Sequence, residues 1–221
     1  MSDPATTYAY YPVFRLWGGT ERVHEASGVE WEVVFKEHAD NVAVRGFYSA
    51  QGFRPDADIM MWWISESPDA IQDLLVAIRR TELGSRLELT HAFLGAHRQA
   101  EFKPQHQPAF LRGEDPKKYL CVYPFVRTPE WYLLPSEERA RMLREHGEIG
   151  REFPDVLPNT TSAFGLSDWE WILAFEADEL HRIVDCIRRL RDAEARKYTK
   201  EEIPFVIGIR KPMADVIADL A

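Results

Sequence analysis

The sequence is short of cysteine, of basic residues and of long apolar runs, and each shortage excludes a class of protein. Its 221 residues include two cysteines, too few for a disulfide framework. Lysine and arginine total 27 against 36 acidic residues, a net charge of −9, which argues against nucleic-acid partners and anionic membrane surfaces. No apolar run approaches the roughly 18 to 20 residues of a spanning helix. The N-terminus also lacks the basic-then-apolar order of a signal peptide. We therefore expect a cytoplasmic protein that contacts no membrane, with Cys121 and Cys186 as buried thiols.

The first half of the sequence predicts four strands and two helices around a packed core. Hydrophobic residues make up 45% of the chain and aromatic residues 12%, ample for such a core. Ser67 as N-cap and Pro68 at the first helical position mark the start of the second helix. The predicted elements, in order, are a strand over Tyr8–Trp17, a helix over 20–38, strands over Val44–Phe53 and Asp58–Ile64, a helix from Ser67 to about Gly84, and a strand over Leu87–Gly95.

The second half repeats this order after a proline-rich connection over residues 98–118, which we interpret as a linker over a pocket. The repeat indicates a duplication. The sequence therefore predicts an α+β fold of two ferredoxin-like (βαββαβ) halves, residues 1–97 and 119–221, whose antiparallel sheets pack into a dimeric α/β-barrel. The second set of predicted elements is a strand over Tyr119–Val126, a helix over Ser136–Gly147, strands over Thr160–Phe164 and Trp169–Glu176, a helix over Asp178–Tyr198 and a strand over Ile203–Ile209.

Among the seven histidines, His146 has the most informative surroundings. It shares a predicted helix face with Met142, Leu143 and Ile149, so its ring should point inward. An inward imidazole on a rigid helix suits an axial ligand of a haem iron. A core histidine satisfied by a carbonyl or a carboxylate fits the same spacing.

Two further groups of residues suit redox chemistry. Tyr123 and Trp131 are residue types that can hold a one-electron hole near an oxidised metal, and Arg127 between them can pair with a carboxylate. His106 lies in the linker, where a loop side chain could reach a pocket mouth. Each has a plainer interpretation, since the two aromatics also suit an ordinary core and His106 an exposed loop.

The second half contains four recognisable motifs. They are Tyr-Pro-x-x-Arg at 123–127, Trp-Tyr-x-Leu-Pro at 131–135, His-Gly-x-x-Gly-Arg at 146–151 and Asp-Trp-Glu-Trp at 168–171. Together they resemble the chlorite dismutase family in its coproheme decarboxylase branch, and the resemblance extends from the first strand to Arg210. The segment Pro108–Glu114 and the strand Tyr119–Val122 also resemble the subgroup with a distal histidine.

The resemblance implies an enzyme of haem biosynthesis that turns the iron complex of coproporphyrin III (coproheme) into haem b with hydrogen peroxide. Two propionates become vinyl groups through a three-propionate intermediate, and no other metal is expected. His146 matches the proximal iron ligand and Tyr123 the tyrosine whose radical takes hydrogen from a propionate. His106 matches the base that deprotonates the peroxide, a task that suits a near-neutral pKa.

Three more residues take roles from the same resemblance. Arg127 falls where the family places a cationic propionate contact, and Trp131 where a secondary radical forms. Arg191 is a further propionate contact. The resemblance also implies a homopentamer and a transient contact with the coproporphyrin ferrochelatase.

The sequence departs from the family at one motif. Other branches carry Ser-Lys where Val126 and Arg127 stand here, so the positive charge is kept. No arginine falls where the chlorite-decomposing relatives place one over the iron, which makes chlorite dismutation the weaker enzyme hypothesis. A haem-binding or haem-sensing module without turnover is the rival from another class of protein.

Overall fold

The chain divides into two compact units. The computed structural model describes residues 6–17, 26–98 and 107–220. The first unit comprises Met1–His97 and Val206–Ala221, and the second comprises Arg98–Phe205. The sequence predicts the two halves as residues 1–97 and 119–221. The C-terminal segment differs, because the sequence placed it in the second half and its contacts place it in the first unit.

The first unit is built on a five-stranded antiparallel sheet. Its strands lie in the order β4-β1-β3-β2-β9, with every neighbouring pair antiparallel. The elements are β1 (Tyr8–Leu16), α1 (Ala26–Glu37), β2 (Ala43–Arg54), β3 (Ala57–Ser65), α2 (Pro68–Arg80), α3 (Glu82–Ser85), β4 (Leu87–Ala96), and later in the chain β9 (Val206–Lys211) and α7 (Met213–Ala218).

The start of α2 is where the sequence placed it. Ser67 accepts a hydrogen bond of 3.1 Å from the backbone N–H of Ala70, and Pro68 occupies the first turn. The helix ends at Arg80, earlier than expected, because Thr81 is extended and caps α3. Gly84 then passes so close to the preceding helix that a Cβ would lie 1.8 Å from the carbonyl oxygen of Ile78.

The core of the first unit lies between the sheet and its helices. Trp31 of α1 is fully buried and its indole N–H donates to Thr81 Oγ1 at 3.0 Å. The C-terminal helix α7 adds Val216 and Ile217 to the same apolar cluster. Helix α1 begins at Ala26, and residues 20–25 of the predicted helix lie outside the described residues.

The second unit has a smaller antiparallel sheet in the order β6-β7-β5-β8. Two of its helices, α5 and α6, contact each other, and α6 contacts β7. The elements are β5 (Tyr119–Arg127), α4 (Pro129–Leu133), α5 (Ser136–Gly150), β6 (Leu157–Ser162), β7 (Trp171–Ala177), α6 (Leu180–Leu190) and β8 (Thr199–Glu201).

The long helix predicted over Asp178–Tyr198 is wrong in its second part. Helix α6 ends at Leu190, and a 3₁₀ turn over Glu194–Tyr198 leads into β8. The break falls at Ala193, whose backbone is extended at φ −67° and ψ 139°. The irregular segment after α6 therefore carries residues that a continuous helix would have placed elsewhere.

The predicted linker is partly packed, which the sequence did not indicate. A 3₁₀ turn over Ala109–Leu111 buries Ala109 and Phe110. The backbone N–H of Phe110 donates to Asn159 Oδ1 of β6 at 3.0 Å, so a buried amide side chain satisfies this turn.

Both units combine an antiparallel sheet with helices, so the α+β class is confirmed. Cys121 and Cys186 are free and buried, as expected. Burial raises the pKa of Cys121 to about 12 and that of Cys186 to about 11, so both stay thiols. In the described part of the chain no helix has the length and apolar character to span a membrane.

Candidate functional site

A cavity of about 330 Å³ lies within the second unit, bounded by its sheet, by α5 and α6, and by the segment after α6. It brings together five of the predicted site residues, Tyr123, Arg127, Trp131, His146 and Arg191. The sixth, His106, lies outside the described residues. The rest of the lining is Phe125, Tyr132, Leu143, Thr160, Trp171, Leu173, Phe175, Ile187, Leu190, Ala195, Arg196, Thr199 and Glu202.

Strand alternation places the sheet residues of the cavity. Tyr123, Phe125 and Arg127 occupy every second position of β5, so all three project from one face of the sheet. On β7, Leu173 and Trp171 lie opposite Tyr123 and Phe125 and line the same cavity. The wall formed by the sheet is therefore aromatic and aliphatic, with one guanidinium at the end of β5.

His146 faces the cavity from α5, one turn after Leu143. Burial lowers the pKa of His146, and the Arg127 guanidinium lowers it further. Glu202 and Glu145 act in the opposite direction and do not overcome the effect. The imidazole is thus neutral near pH 7, the protonation state that a metal requires of a histidine ligand.

Tyr123 is held by aromatic neighbours. Its ring stacks on Phe205 with centroids 4.5 Å apart and meets Phe175 edge-on at 5.8 Å. The side chain is buried, with 4% of its surface exposed, and this burial raises its pKa well above the usual range. The phenol therefore keeps its proton at physiological pH.

Arg127 lies between two aromatic rings. Its guanidinium carbon is 4.1 Å from the Trp131 ring centroid and 4.6 Å from that of Phe125, and Nη1 donates to the carbonyl of Ala195 at 2.8 Å. Burial lowers its pKa to about 10, so it stays cationic near neutral pH. Among the described residues no carboxylate lies within ion-pair distance of its guanidinium, which leaves this charge available to an anionic ligand.

Trp131 belongs to a small apolar cluster beside the cavity. It is 5% exposed, packs with Met142 and Ala195, and lies 5.7 Å from the ring of Tyr198 between centroids. Its neighbour Tyr132 donates to Glu170 Oε2 at 2.6 Å, and the same oxygen accepts the backbone N–H of Arg127 at 2.7 Å. Glu170 of the Asp-Trp-Glu-Trp motif thus fixes the end of β5.

Arg191 and Arg196 carry the other positive charges of the cavity. Both donate through Nη1 to the same oxygen, Oε2 of Glu202. Arg196 and Glu202 were not among the predicted site residues. The sequence predicted that the helix continues past Ala193 and includes Arg196, and it contained no pattern that marked Glu202. Both residues follow the break at Ala193, which the sequence did not predict.

This arrangement fits an iron porphyrin with carboxylate side chains. A neutral imidazole can ligate iron, the apolar walls can cover a flat macrocycle, and guanidinium groups can pair with propionates. The buried phenol adds a one-electron donor in the same space. The residues therefore match the group that the sequence motifs implied.

Solved structures with the fold of this chain include chlorite dismutases. A mutant chlorite dismutase from Candidatus Nitrospira defluvii in complex with cyanide superposes with a TM-score of 0.87, at 18% identity, over 97% of this chain and 94% of that one. A second mutant of that enzyme gives a TM-score of 0.86, at 19% identity, over 99% of this chain and 96% of that one. At these identities the likeness establishes the fold class alone.

Sequence comparison then establishes the family. Residues 24–211 match the family model described as chlorite dismutase. A protein of Mycolicibacterium smegmatis named coproheme decarboxylase is 47% identical over 216 residues, which are 96% of this chain and 94% of that protein. The chain belongs to the chlorite dismutase family.

Proposed function

We propose that this protein is an oxidoreductase of haem biosynthesis that decarboxylates coproheme to haem b with hydrogen peroxide. The observation that carries the proposal is the cavity shared by a neutral imidazole, a buried phenol and the Arg127 guanidinium, which pairs with no carboxylate among the described residues. The 47% identity to a protein named coproheme decarboxylase supports the same reaction. The substrate also serves as the redox centre, so no separate cofactor is required.

Each decarboxylation is a two-electron oxidation. One propionate, one H₂O₂ and one proton become one vinyl group, one CO₂ and two H₂O. The iron porphyrin, when bound, supplies the oxidising equivalents from the peroxide. Two such rounds convert the substrate through a three-propionate intermediate to haem b, and the protein must hold the porphyrin while each reacting propionate meets an oxidant.

Tyr123 is the residue that we assign to hydrogen abstraction. Its buried phenol is protonated, so oxidation removes a hydrogen atom overall and leaves a neutral radical. That radical takes a hydrogen atom from the propionate carbon next to the ring and recovers the phenol. Loss of CO₂ and of one more electron from the substrate then leaves the vinyl group.

The remaining site residues bind the porphyrin, hold a radical or move a proton. His146 ligates the iron, Arg127 and Arg191 pair with propionates, and Trp131 holds a secondary radical. His106 accepts the first proton of the peroxide. The role of Arg127 is supported by its available charge, and that of Trp131 by its contact with the same guanidinium.

We extend the proposal to the whole assembly. Each half is ferredoxin-like, residues 98–118 connect the halves over the pocket, and the two sheets form a barrel. The strand order β4-β1-β3-β2 with two crossing helices supports this for the first half. The protein is a cytoplasmic homopentamer that receives its substrate through a transient contact with the coproporphyrin ferrochelatase.

Replacement of Tyr123 by phenylalanine tests the central assignment. We expect Tyr123→Phe to bind ferric coproporphyrin III within about twofold of the parent, because the ring packing is kept. Decarboxylation should fall at least about 100-fold, a loss of about 2.7 kcal/mol in transition-state stabilisation. Absorbance titration measures binding, and mass spectrometry after peroxide addition counts the lost carboxyl groups.

A matched control is Tyr119→Phe, since Tyr119 lies on the same strand outside the cavity lining. It should bind and react as the parent does. Decarboxylation by Tyr123→Phe at the parent rate would refute the radical role. Failure of the parent to bind the porphyrin would refute the whole proposal.

Two rival functions predict different results. A haem-binding module would bind the porphyrin and release no CO₂ on peroxide addition. A chlorite dismutase would release O₂ from chlorite, which an oxygen electrode records. The solved structures favour this second rival only through their fold, because they share 18 to 22% identity with this chain.

A further inference from the structure

Glu202 places a negative charge in a cavity that is otherwise suited to anions. Among the described lining residues it is the single carboxylate, and three arginines line the same cavity. Its side chain is 13% exposed, against 35% for Arg191 and 41% for Arg196. The carboxylate is therefore set deeper than the two guanidinium groups that hold it.

The two ion pairs converge on one atom. Nη1 of Arg191 and Nη1 of Arg196 both donate to Oε2 of Glu202. Glu202 also acts on the charges of the cavity beyond these pairs, since it raises the pKa of Arg127 and opposes the lowering of the His146 pKa. It is thus part of the site's electrostatics and not of a separate surface network.

A carboxylate that is part of the protein competes with a carboxylate of the ligand. Arginine and carboxylate pair through directed hydrogen bonds, and a guanidinium already engaged by Glu202 has fewer donors for a propionate. A ligand must then share these donors or displace Glu202. Arg127, which has no such partner among the described residues, is the contrasting case.

We propose that Glu202 is a specificity-determining residue that competes with porphyrin carboxylates for Arg191 and Arg196 and so limits how tightly the cavity holds its ligand. The inference rests on the proposed function for the identity of the ligand. It goes further by assigning a role to a residue that neither ligates iron nor reacts. A limit on affinity lets the porphyrin product leave an otherwise cationic pocket.

Metal-free coproporphyrin III is the probe that isolates this effect. It carries four carboxylates but no iron, so ligation by His146 and turnover with peroxide play no part. We expect Glu202→Gln to bind it about fivefold more tightly than the parent, a change of about 1 kcal/mol, in a fluorescence titration. The uncharged tetramethyl ester of the same porphyrin should bind both proteins equally.

Glu201→Gln is the matched control, because Glu201 is the exposed neighbour and its replacement changes the net charge equally. It should leave the affinity unchanged. A purely structural role predicts weaker binding in Glu202→Gln, because the arginines would lose their anchor. Equal or weaker binding would therefore overturn the inference.

A second variant covers the case in which Glu202→Gln does not fold. Glu202→Asp keeps the charge and shortens its reach by one methylene, so it should compete less well and bind the probe about twofold more tightly. If the parent binds the probe and neither variant binds it more tightly, this inference fails alone. If the parent does not bind the probe, the proposed function fails with it.

Discussion

His146 and Tyr123 face one cavity, and burial moves their pKa values in opposite directions. The imidazole becomes harder to protonate and the phenol harder to deprotonate. Burial is the largest cause of both shifts, since an apolar environment disfavours whichever form is charged. Burial in one cavity therefore leaves His146 unprotonated and Tyr123 protonated near pH 7.

Iron ligation by His146 is testable at the level of the single residue. His146→Ala should weaken the binding of ferric coproporphyrin III by at least about tenfold and change its absorbance spectrum, because a ligand to the metal is lost. Added imidazole should restore part of the spectrum. Exposed His181 of α6 provides the control variant His181→Ala, which should behave as the parent.

Metal-free coproporphyrin III separates ligation from cavity shape in the same variants. It should bind the parent and His146→Ala with similar affinity, since neither protein can ligate an absent iron. A parallel loss of affinity for the metal-free porphyrin would show that His146 supports the pocket and does not ligate iron.

His91 of β4 gives the ligand-free protein a pH dependence. Burial lowers its pKa, while Asp56, 3.8 Å away, acts in the opposite direction and Arg54 adds to the lowering. Below about pH 6.5 the unfolded chain binds this proton more readily than the folded one. The free energy of unfolding therefore falls as the pH drops from 7 to 5.

Denaturant unfolding at both pH values measures this effect. The decrease should be smaller in His91→Gln than in the parent. His181→Gln, at an exposed histidine, should keep the parent's decrease. An unchanged decrease in His91→Gln would contradict the assignment.

At the scale of elements, the cavity depends on two periodicities. The two-residue period of β5 aligns Tyr123 with Arg127, and the helical period of α5 aligns Leu143 with His146. The third contribution has no period, because it comes from the irregular segment between α6 and β8. That segment supplies Ala195 and Arg196, and Glu202 follows directly after β8.

The junction of α2 and α3 offers a stability test at this scale. Gly84→Ala should lower the free energy of unfolding by more than about 2 kcal/mol, because the added Cβ would lie 1.8 Å from a backbone oxygen. Gly150→Ala, at the end of α5 with open space around it, should be neutral or stabilise by up to about 1 kcal/mol. Thermal or denaturant unfolding measures both, and equal effects would contradict the close approach.

At the scale of the whole molecule, charge is distributed unevenly. The chain carries a net charge of −9, yet three arginines and one carboxylate line the cavity of the second unit. Coproheme is itself anionic, so the acidic exterior repels it and the arginines must supply the local attraction. Substrate binding should consequently tighten as the salt concentration rises from very low values.

The proposed assembly is tested on the same scale. Light scattering in line with gel filtration should give a mass of about 128 kDa, five times the 25.6 kDa of one chain. The mass should not change when coproheme is added. A mass near that of one chain at micromolar concentration would contradict the pentamer.

The sequence by itself determined the elements whose signals are local. The N-cap at Ser67 and the apolar face of α5 depend on neighbouring residues, and so the α+β class and the inward position of His146 could be predicted. The four motifs added the family, which the comparisons confirm.

Only the tertiary structure decided which charges meet. Three features depend on contacts that form only when the chain is folded. They are the break at Ala193, the turn that buries Phe110, and the convergence of Arg191 and Arg196 on Glu202. The helical spacing of apolar residues continues through Ala193 in the sequence. This spacing does not indicate where tertiary packing ends the helix. A carboxylate between two arginines is likewise invisible in the sequence, since pairing depends on side-chain positions that the folded second unit alone provides.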